Sequence, residues 1–335
     1  MFEELRIKVV DTHTCGEPAR IVTEGLPEVK GSTIAEKKQY LEENLDFIRR
    51  RLMFEPRGHN NMFGAVILEP TVKEADFGIV FMNTGGWMGM CGHNTIAMCV
   101  LAIETKMVEV TEPVTHITLE TTAGLVHTRS EVENGFVKKV TLQNVPSFLY
   151  ESNLSVTVPD IGEITFDVAF GGNFYALIEA AQLRVDIEPE NATAIAVRGI
   201  AALHAIQKEI KVQHPEQSHI NTIDGVEIYG PPKSKDANAQ NAVVFGQYSI
   251  DRSPCGTGTC AKMAVLYSQG KLSLGEEFVH ESIIRTKFTG KALEETTVGK
   301  YKALVSEISG TAFISGFTEF VFDKRDPLID GFLLS

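Results

Sequence analysis

The chain has 335 residues, 43% of them hydrophobic, enough to bury a large core and long enough for two domains. Its 44 acidic and 31 basic side chains leave a formal net charge of −13, which argues against nucleic acid or an anionic membrane surface as the main partner. The opening MFEELRIKVV lacks a signal-peptide pattern and no apolar run reaches bilayer-spanning length, so a cytoplasmic chain with no membrane partner is expected.

In chain order, a turn motif at Asp11–Arg20 comes first, followed by a helical pattern over 34–54. Phe77-Gly78-Ile79-Val80-Phe81 reads as a strand. A Gly-rich turn and a helix from Thr95 to about Thr105 follow, with Ile96, Cys99, Val100 and Ile103 on one buried face. A second helical pattern covers about 190–212. Asn241-Ala242-Val243-Val244-Phe245 then repeats the strand, the Gly-rich turn repeats, and a helix runs from Thr259 to about Gln269 with Ala261, Val265 and Leu266 inward.

The same grammar appears twice, so internal repeats matter. Asp11-Thr12-His13-Thr14-Cys15-Gly16 and the following Glu17–Val22 align with Asp167–Gly172 and the following Asn173–Ile178. Cys91-Gly92-His93-Asn94-Thr95-Ile96-Ala97 aligns better still with Cys255-Gly256-Thr257-Gly258-Thr259-Cys260-Ala261. The expected fold class is α/β with two pseudo-symmetric lobes. The first covers 1–125 and the second 126–319, with the final 320–335 able to cross back onto the first.

Five cysteines are present, Cys15, Cys91, Cys99, Cys255 and Cys260, with no CxxC pair. An odd count in such a chain speaks against a disulfide framework, and the cysteine and histidine spacings do not suit zinc. No metal is expected. Each cysteine by default is a small buried hydrophobe.

Cys91 and Cys255 stand out because each immediately precedes a Gly-rich helix start. Unpaired N–H groups and the positive end of the helix dipole bind anions there, and the same field favours thiolate. With two such termini facing one another, a small carboxylate would lie between them with a thiol on each side of its α-carbon. One thiolate removes the α-proton, the opposite thiol delivers another, and the enantiomer forms. His93 and Asp251 lie close by in sequence and could hold a substrate nitrogen, against the bland readings of a helix-capping His and a solvated Asp.

Other readings compete. Gly256-Thr257-Gly258-Thr259-Cys260-Ala261 fits GxGxxA, with Glu276 twenty residues past Gly256, as in a dinucleotide fingerprint. However, a polar stretch from Gln247 to Ser253 separates it from the strand, and the aligned copy lacks the spacing. A Cys–His peptidase would leave the second cysteine turn unexplained. No GxxxxGK[ST] or HExxH occurs.

Met90-Cys91-Gly92-His93-Asn94-Thr95 and Asp251-Arg252-Ser253-Pro254-Cys255-Gly256-Thr257-Gly258-Thr259 resemble the two signature motifs of the proline racemase family. Asp11–Thr14 with Gly16–Arg20, Arg57-Gly58-His59, Met62-Phe63-Gly64 and Val226-Glu227-Ile228-Tyr229 match as well, so the resemblance spans nearly the whole chain. It implies a diaminopimelate epimerase-like fold, no cofactor, a two-base thiol mechanism, a small-molecule substrate and commonly a homodimer. It implies Cys91 and Cys255 as base and acid. Gly92, His93, Asn94, Gly256 and Thr257 would hold the carboxylate, and His93 and Asp251 would contact the ring nitrogen.

Within the resemblance, two cysteines favour inversion over the dehydration of trans-3-hydroxyproline. Phe63 and Phe245 give an apolar wall suited to proline rather than 4-hydroxyproline, whose buried hydroxyl would lack a partner at a cost of about 1–3 kcal/mol. Gly225, smaller than the residue expected in a proline pocket, leaves room there. Cys260 stands where many relatives have serine, which makes a Cys255–Cys260 disulfide conceivable. A binding protein that kept the fold is the non-enzyme alternative.

Overall fold

The computed structural model describes residues 5–218, 220–246 and 248–334. The acidic start of the chain, Gln247 of the polar stretch, and the last residue of the 320–335 segment lie outside the described residues.

In chain order the elements are β1 (Leu5–Thr14), β2 (Glu17–Glu24), α1 (Ile34–Asn44), α2 (Asp46–Met53), β3 (Phe63–Leu68), β4 (Phe77–Asn83), β5 (Trp87–Met88), α3 (Gly92–Glu104), β6 (Val114–Thr121), β7 (Gly124–Glu133) and β8 (Phe136–Gln143). They continue as β9 (Ser147–Val158), β10 (Gly162–Phe170), β11 (Phe174–Glu179), α4 (Ala192–Glu209), β12 (Ile223–Gly230), β13 (Ala239–Phe245), β14 (Ser249–Ile250), α5 (Gly256–Ser268), β15 (Glu277–Glu281), β16 (Lys287–Val298), β17 (Tyr301–Gly310) and β18 (Ala312–Phe322). Two compact units result: one reaches to Leu142 and resumes at Thr311, the other runs from Gln143 to Gly310.

In the first unit the sheet order is β18-β1-β2-β3-β4-β6-β7-β8. The steps β2–β3 and β4–β6 are parallel. In the second unit the order is β9-β10-β11-β12-β13-β15-β16-β17, and β17 pairs back to β9 so that the sheet closes on itself. Here too the parallel steps are the third and fifth, β11–β12 and β13–β15. A parallel step needs a long crossover, usually helical. That requirement places α1–α2 and α4 in one pair of crossovers, and α3 and α5 in the other.

The helices differ by what they cover. The α3 residues from His93 to Ile103 are all buried, as are the α5 residues from Thr257 to Val265. A helix buried on every side belongs inside its sheet, so each unit is a curved sheet around a central helix. In contrast, α4 buries one face, Ile195, Ala196, Gly199, Ile200, Leu203 and Ile206, against the sheet. The 34–54 pattern is two helices. Thr33 caps α1 through its hydroxyl to Glu36 N, and Leu45 at φ −127°, ψ 15° breaks the run. Asp46 then opens α2, binding Arg49 and the Trp87 indole. Among the described residues, no helix is long and apolar enough to cross a membrane.

The strand registers make the two units comparable residue by residue. In β2–β3, Ile21 faces Ala65; in β11–β12, Leu177 faces Glu227. In β3–β4, Phe63 faces Asn83; in β12–β13, Gly225 faces Phe245. In β4–β6, Phe77 faces Leu119; in β13–β15, Ala239 faces His280. Even a loop clamp repeats: Glu120 on β6 accepts from Thr71 N, and Glu281 on β15 accepts from Lys233 N at 2.8 Å.

Candidate active site

Both central helices have 13 residues and each is capped by a cysteine, Cys91 on α3 and Cys255 on α5. The shared first-turn sequence explains the common geometry. Thr95 N donates to Cys91 O at 3.0 Å, and Thr259 N donates to Cys255 O at 2.8 Å. Both cysteines are nearly covered, at 7% and 8% exposure.

At the first site, Cys91 is extended, with φ −153° and ψ 111°. Asn94 Nδ2 donates to its Sγ at 3.1 Å, and His93 Nδ1 lies 3.3 Å from the same sulfur. Asn94 Nδ2 is also 3.1 Å from His93 Nε2. Thr14 Oγ1 donates to His93 O at 2.7 Å, tying the turn at the end of β1 to the first turn of α3. Burial pushes the His93 imidazole down to about 4, so the ring is neutral at physiological pH. Phe63 packs edge-on against it, ring centres 4.9 Å apart. The approach to Phe63 is held by Arg20, which pairs with Asp11 at 2.7 Å and donates to Leu52 O and Arg57 O. Phe63, Cys91, Gly92, His93 and Asn94 are thus brought together.

At the second site, Cys255 adopts φ 58° and ψ 110°. A side chain so placed costs on the order of 1–3 kcal/mol and persists only where its surroundings over-determine it. Asp251 Oδ1 accepts from Ser253 N at 2.8 Å, and Ser253 Oγ accepts from Cys255 N at 3.1 Å. Pro254 O accepts from Asn241 Nδ2 at 2.8 Å and from Thr259 Oγ1 at 3.1 Å. Gly258 N donates to Cys255 Sγ at 3.3 Å. Thr257 Oγ1 and the Tyr175 hydroxyl share a 2.7 Å hydrogen bond, each 3.7 Å from that sulfur. Phe245 packs on the cluster that holds Tyr175 and Cys255, so Gly225, Phe245, Asp251, Cys255, Gly256 and Thr257 also come together.

The electrostatics of the second site depart from the sequence expectation. A helix start was expected to favour thiolate, yet Cys255 is pushed well up. Burial is the main cause and the Asp251 charge the next; the Gly258 N–H acts in the opposite sense but is outweighed. Burial also raises Asp251 to about 6, against hydrogen bonds from Ser253 that lower it. The carboxylate remains charged at neutral pH.

Two further expectations are corrected. The room at Gly225 is taken up: a side chain there would bring its Cβ to 2.9 Å of Val244 O and 3.4 Å of the Tyr175 ring. Cys255 and Cys260 form no disulfide; all five cysteines are free, and Cys260 Sγ accepts from Ser306 Oγ at 3.4 Å. Tyr175 is the residue that sequence reasoning missed. The repeat aligned it with Ala19, and a tyrosine opposite an alanine at matched positions was the available signal. Among the described residues, no three His, Cys, Asp or Glu side chains converge as metal ligands would.

The family model described as proline racemase matches residues 9–333. The chain is 51% identical over 327 residues to the proline racemase of Acetoanaerobium sticklandii, covering 97% of this chain and 98% of that protein. It is 48% identical over 328 residues to the proline racemase of Clostridioides difficile, covering 98% of each. Among solved structures, a hydroxyproline epimerase from Agrobacterium vitis with bound trans-4-hydroxy-L-proline superposes with a TM-score of 0.91 at 32% identity, covering 100% of this chain and 97% of that one.

Proposed function

Because this chain belongs to the proline racemase family, we propose that it interconverts the enantiomers of free proline without a cofactor, using Cys91 and Cys255 as paired acid and base. The observation that carries the reading is the duplicated thiol: each unit caps its central helix with a buried cysteine.

Burial and the Asp251 charge push the Cys255 thiol well up, which suits it to start as the proton donor. In one direction Cys91 as thiolate removes the α-proton and the Cys255 thiol delivers its own to the opposite face; in the other direction the roles exchange. First-turn N–H groups of Gly92, His93, Asn94, Gly256 and Thr257 hold the carboxylate and offset the charge that builds as the α-carbon loses its proton. Neutral His93 and anionic Asp251 face the ring nitrogen, one as acceptor and the other as counter-charge. Phe63 and Phe245 wall the ring carbons. Five free thiols suit a reducing cytoplasm, and a homodimer is the proposed assembly, to be read by light scattering on the purified protein.

The second reading is 4-hydroxyproline as the substrate, the ligand bound in the Agrobacterium vitis epimerase that superposes on this chain. Proton NMR in heavy water separates the two readings, with L-proline and trans-4-hydroxy-L-proline incubated separately with reduced protein. Loss of the proline α-proton signal with falling optical rotation is the expected result. Exchange in hydroxyproline alone would transfer the assignment to an epimerase, and exchange in neither would remove the inversion reading.

A further inference from the structure

Behind Cys255 lies a buried polar cluster that the proposed chemistry does not use. Glu227, on β12, is 0% exposed, and its Oε2 has no hydrogen-bond partner. Its Oε1 accepts a long 3.5 Å contact from Asn241 Nδ2, the same amide that donates to Pro254 O at 2.8 Å. His280 Nε2 is 3.7 Å from Glu227 Oε1, and His280 Nδ1 is 3.0 Å from Thr259 Oγ1, the second donor to Pro254 O. The cluster therefore converges on the carbonyl immediately before the strained cysteine.

At the matching positions the first unit has no such pair. By strand register, Glu227 corresponds to Ala65 and His280 to Leu119. In the helices the relation is inverted. Asn94, third residue of α3, corresponds to Gly258, third residue of α5. A side chain at Gly258 would place its Cβ 2.8 Å from Glu227 Oε2 and 3.2 Å from Cys255 Sγ. The space that Asn94 fills from the helix beside Cys91 is filled beside Cys255 by a carboxylate reaching in from the sheet.

We infer that Glu227 is a positioning residue for Cys255, replacing across the Gly258 gap the support that Asn94 gives Cys91. Through Asn241 it holds the Pro254 carbonyl, and with it the backbone of Cys255. It does not touch substrate. The inference rests on the proposed role of Cys255 as acid and base, and the test keeps the two apart.

Three variants and one double variant decide it. Glu227→Gln keeps an acceptor for Asn241, Glu227→Met fills the same volume without one, and Glu227→Ala empties it. Glu227→Ala/Gly258→Asn installs the pair found in the first unit. The readouts are kcat and KM for racemisation, and the ratio of Cys255 to Cys91 alkylation by iodoacetamide, mapped by mass spectrometry. Expected is a loss of about 10²-fold in kcat, with KM nearly unchanged, for the Met and Ala variants. The alkylation ratio should change with it, the Gln variant should stay close to wild type, and the double variant should recover most of the loss. Wild-type kcat and alkylation ratio in Glu227→Met would overturn the inference, because volume alone would then suffice. Equal losses in the Gln and Met variants would also overturn it, since charge rather than the hydrogen bond would be responsible. If the protein proves to turn over no proline, the racemase reading fails, and the alkylation ratio still decides whether Glu227 positions Cys255.

Discussion

Two helix starts of equal length and nearly equal burial support their cysteines by different means. At α3 the backbone is relaxed, and the support comes from side chains of the helix's own first turn, His93 and Asn94. At α5 the backbone is strained, and the support comes from the chain before the cysteine and the sheet behind it: Asp251, Ser253, Asn241 and Thr259. The first arrangement offers the sulfur the Asn94 amide as a neutral donor, with the neutral His93 ring beside it. The second sets a carboxylate near it and keeps the thiol protonated. An enzyme that inverts a stereocentre needs one proton acceptor and one proton donor at the start of each turnover, and under the proposed mechanism the raised Cys255 thiol would start as the donor.

The largest expected effect tests whether both ends are needed. Cys91→Ser and Cys255→Ser should each lower the racemisation rate by about 10³-fold or more, with circular dichroism unchanged. Full polarimetric activity in either would reduce the duplicated thiol to core packing.

The next effect sharpens the electrostatic contrast, because His93 and Asp251 pull stability in opposite directions over the same pH range. His93 is depressed from 6.5 to about 4 in the fold. Between those values the unfolded chain takes up the proton first, so stability is full above pH 6.5 and lost as pH falls towards 4. The loss is roughly 3 kcal/mol. Asp251 is raised from 3.8 to about 6. The folded state holds that proton more tightly, so its contribution is full below pH 3.8 and lost as pH rises through 6, again by roughly 3 kcal/mol. Urea melts between pH 4 and 7 should show His93→Gln flattening one slope and Asp251→Asn the other. Parallel changes in the two variants would show that the ends are not electrostatically distinct.

A smaller effect tests the fit at α5. Gly258→Ala should destabilise by about 1–3 kcal/mol, since its Cβ meets Glu227 Oε2 at 2.8 Å. Asn94→Ala, at the matching position, meets no such obstacle and should instead lower kcat by about tenfold through the lost hydrogen bond to Cys91, worth roughly 1.5 kcal/mol. Reversal of that pattern would mean that the registers do not place these residues in equivalent surroundings.

Much of this was legible in the chain itself. The paired Cys-Gly turns, the strands ahead of them and the two central helices follow from apolar periodicity and glycine placement, and the repeat located both thiols. What stayed hidden depends on tertiary approach. Tyr175 lies 80 residues from Cys255 and reaches it only through the β11–β12 register. The exchange of Ala65 and Asn94 for Glu227 and Gly258 couples a strand to a helix, and no local pattern shows that one replaces the other. The direction of the Cys255 shift was missed because helix-end effects can be read from sequence, whereas burial and the facing of Asp251 cannot. The break at Leu45 was missed because the apolar spacing runs on through it.

The first unit is finished by the last strand. β18 pairs with β1 from Leu5↔Phe322 to Thr14↔Ala312, Glu55 bridges Phe332, and Arg51 binds Asp330 at 2.9 Å. A ribosome delivers β1 first and β18 last, so a nascent chain can close its second unit while the first still waits for an edge. Removing β18 would therefore uncover the edge of β1, a strand made about 300 residues earlier.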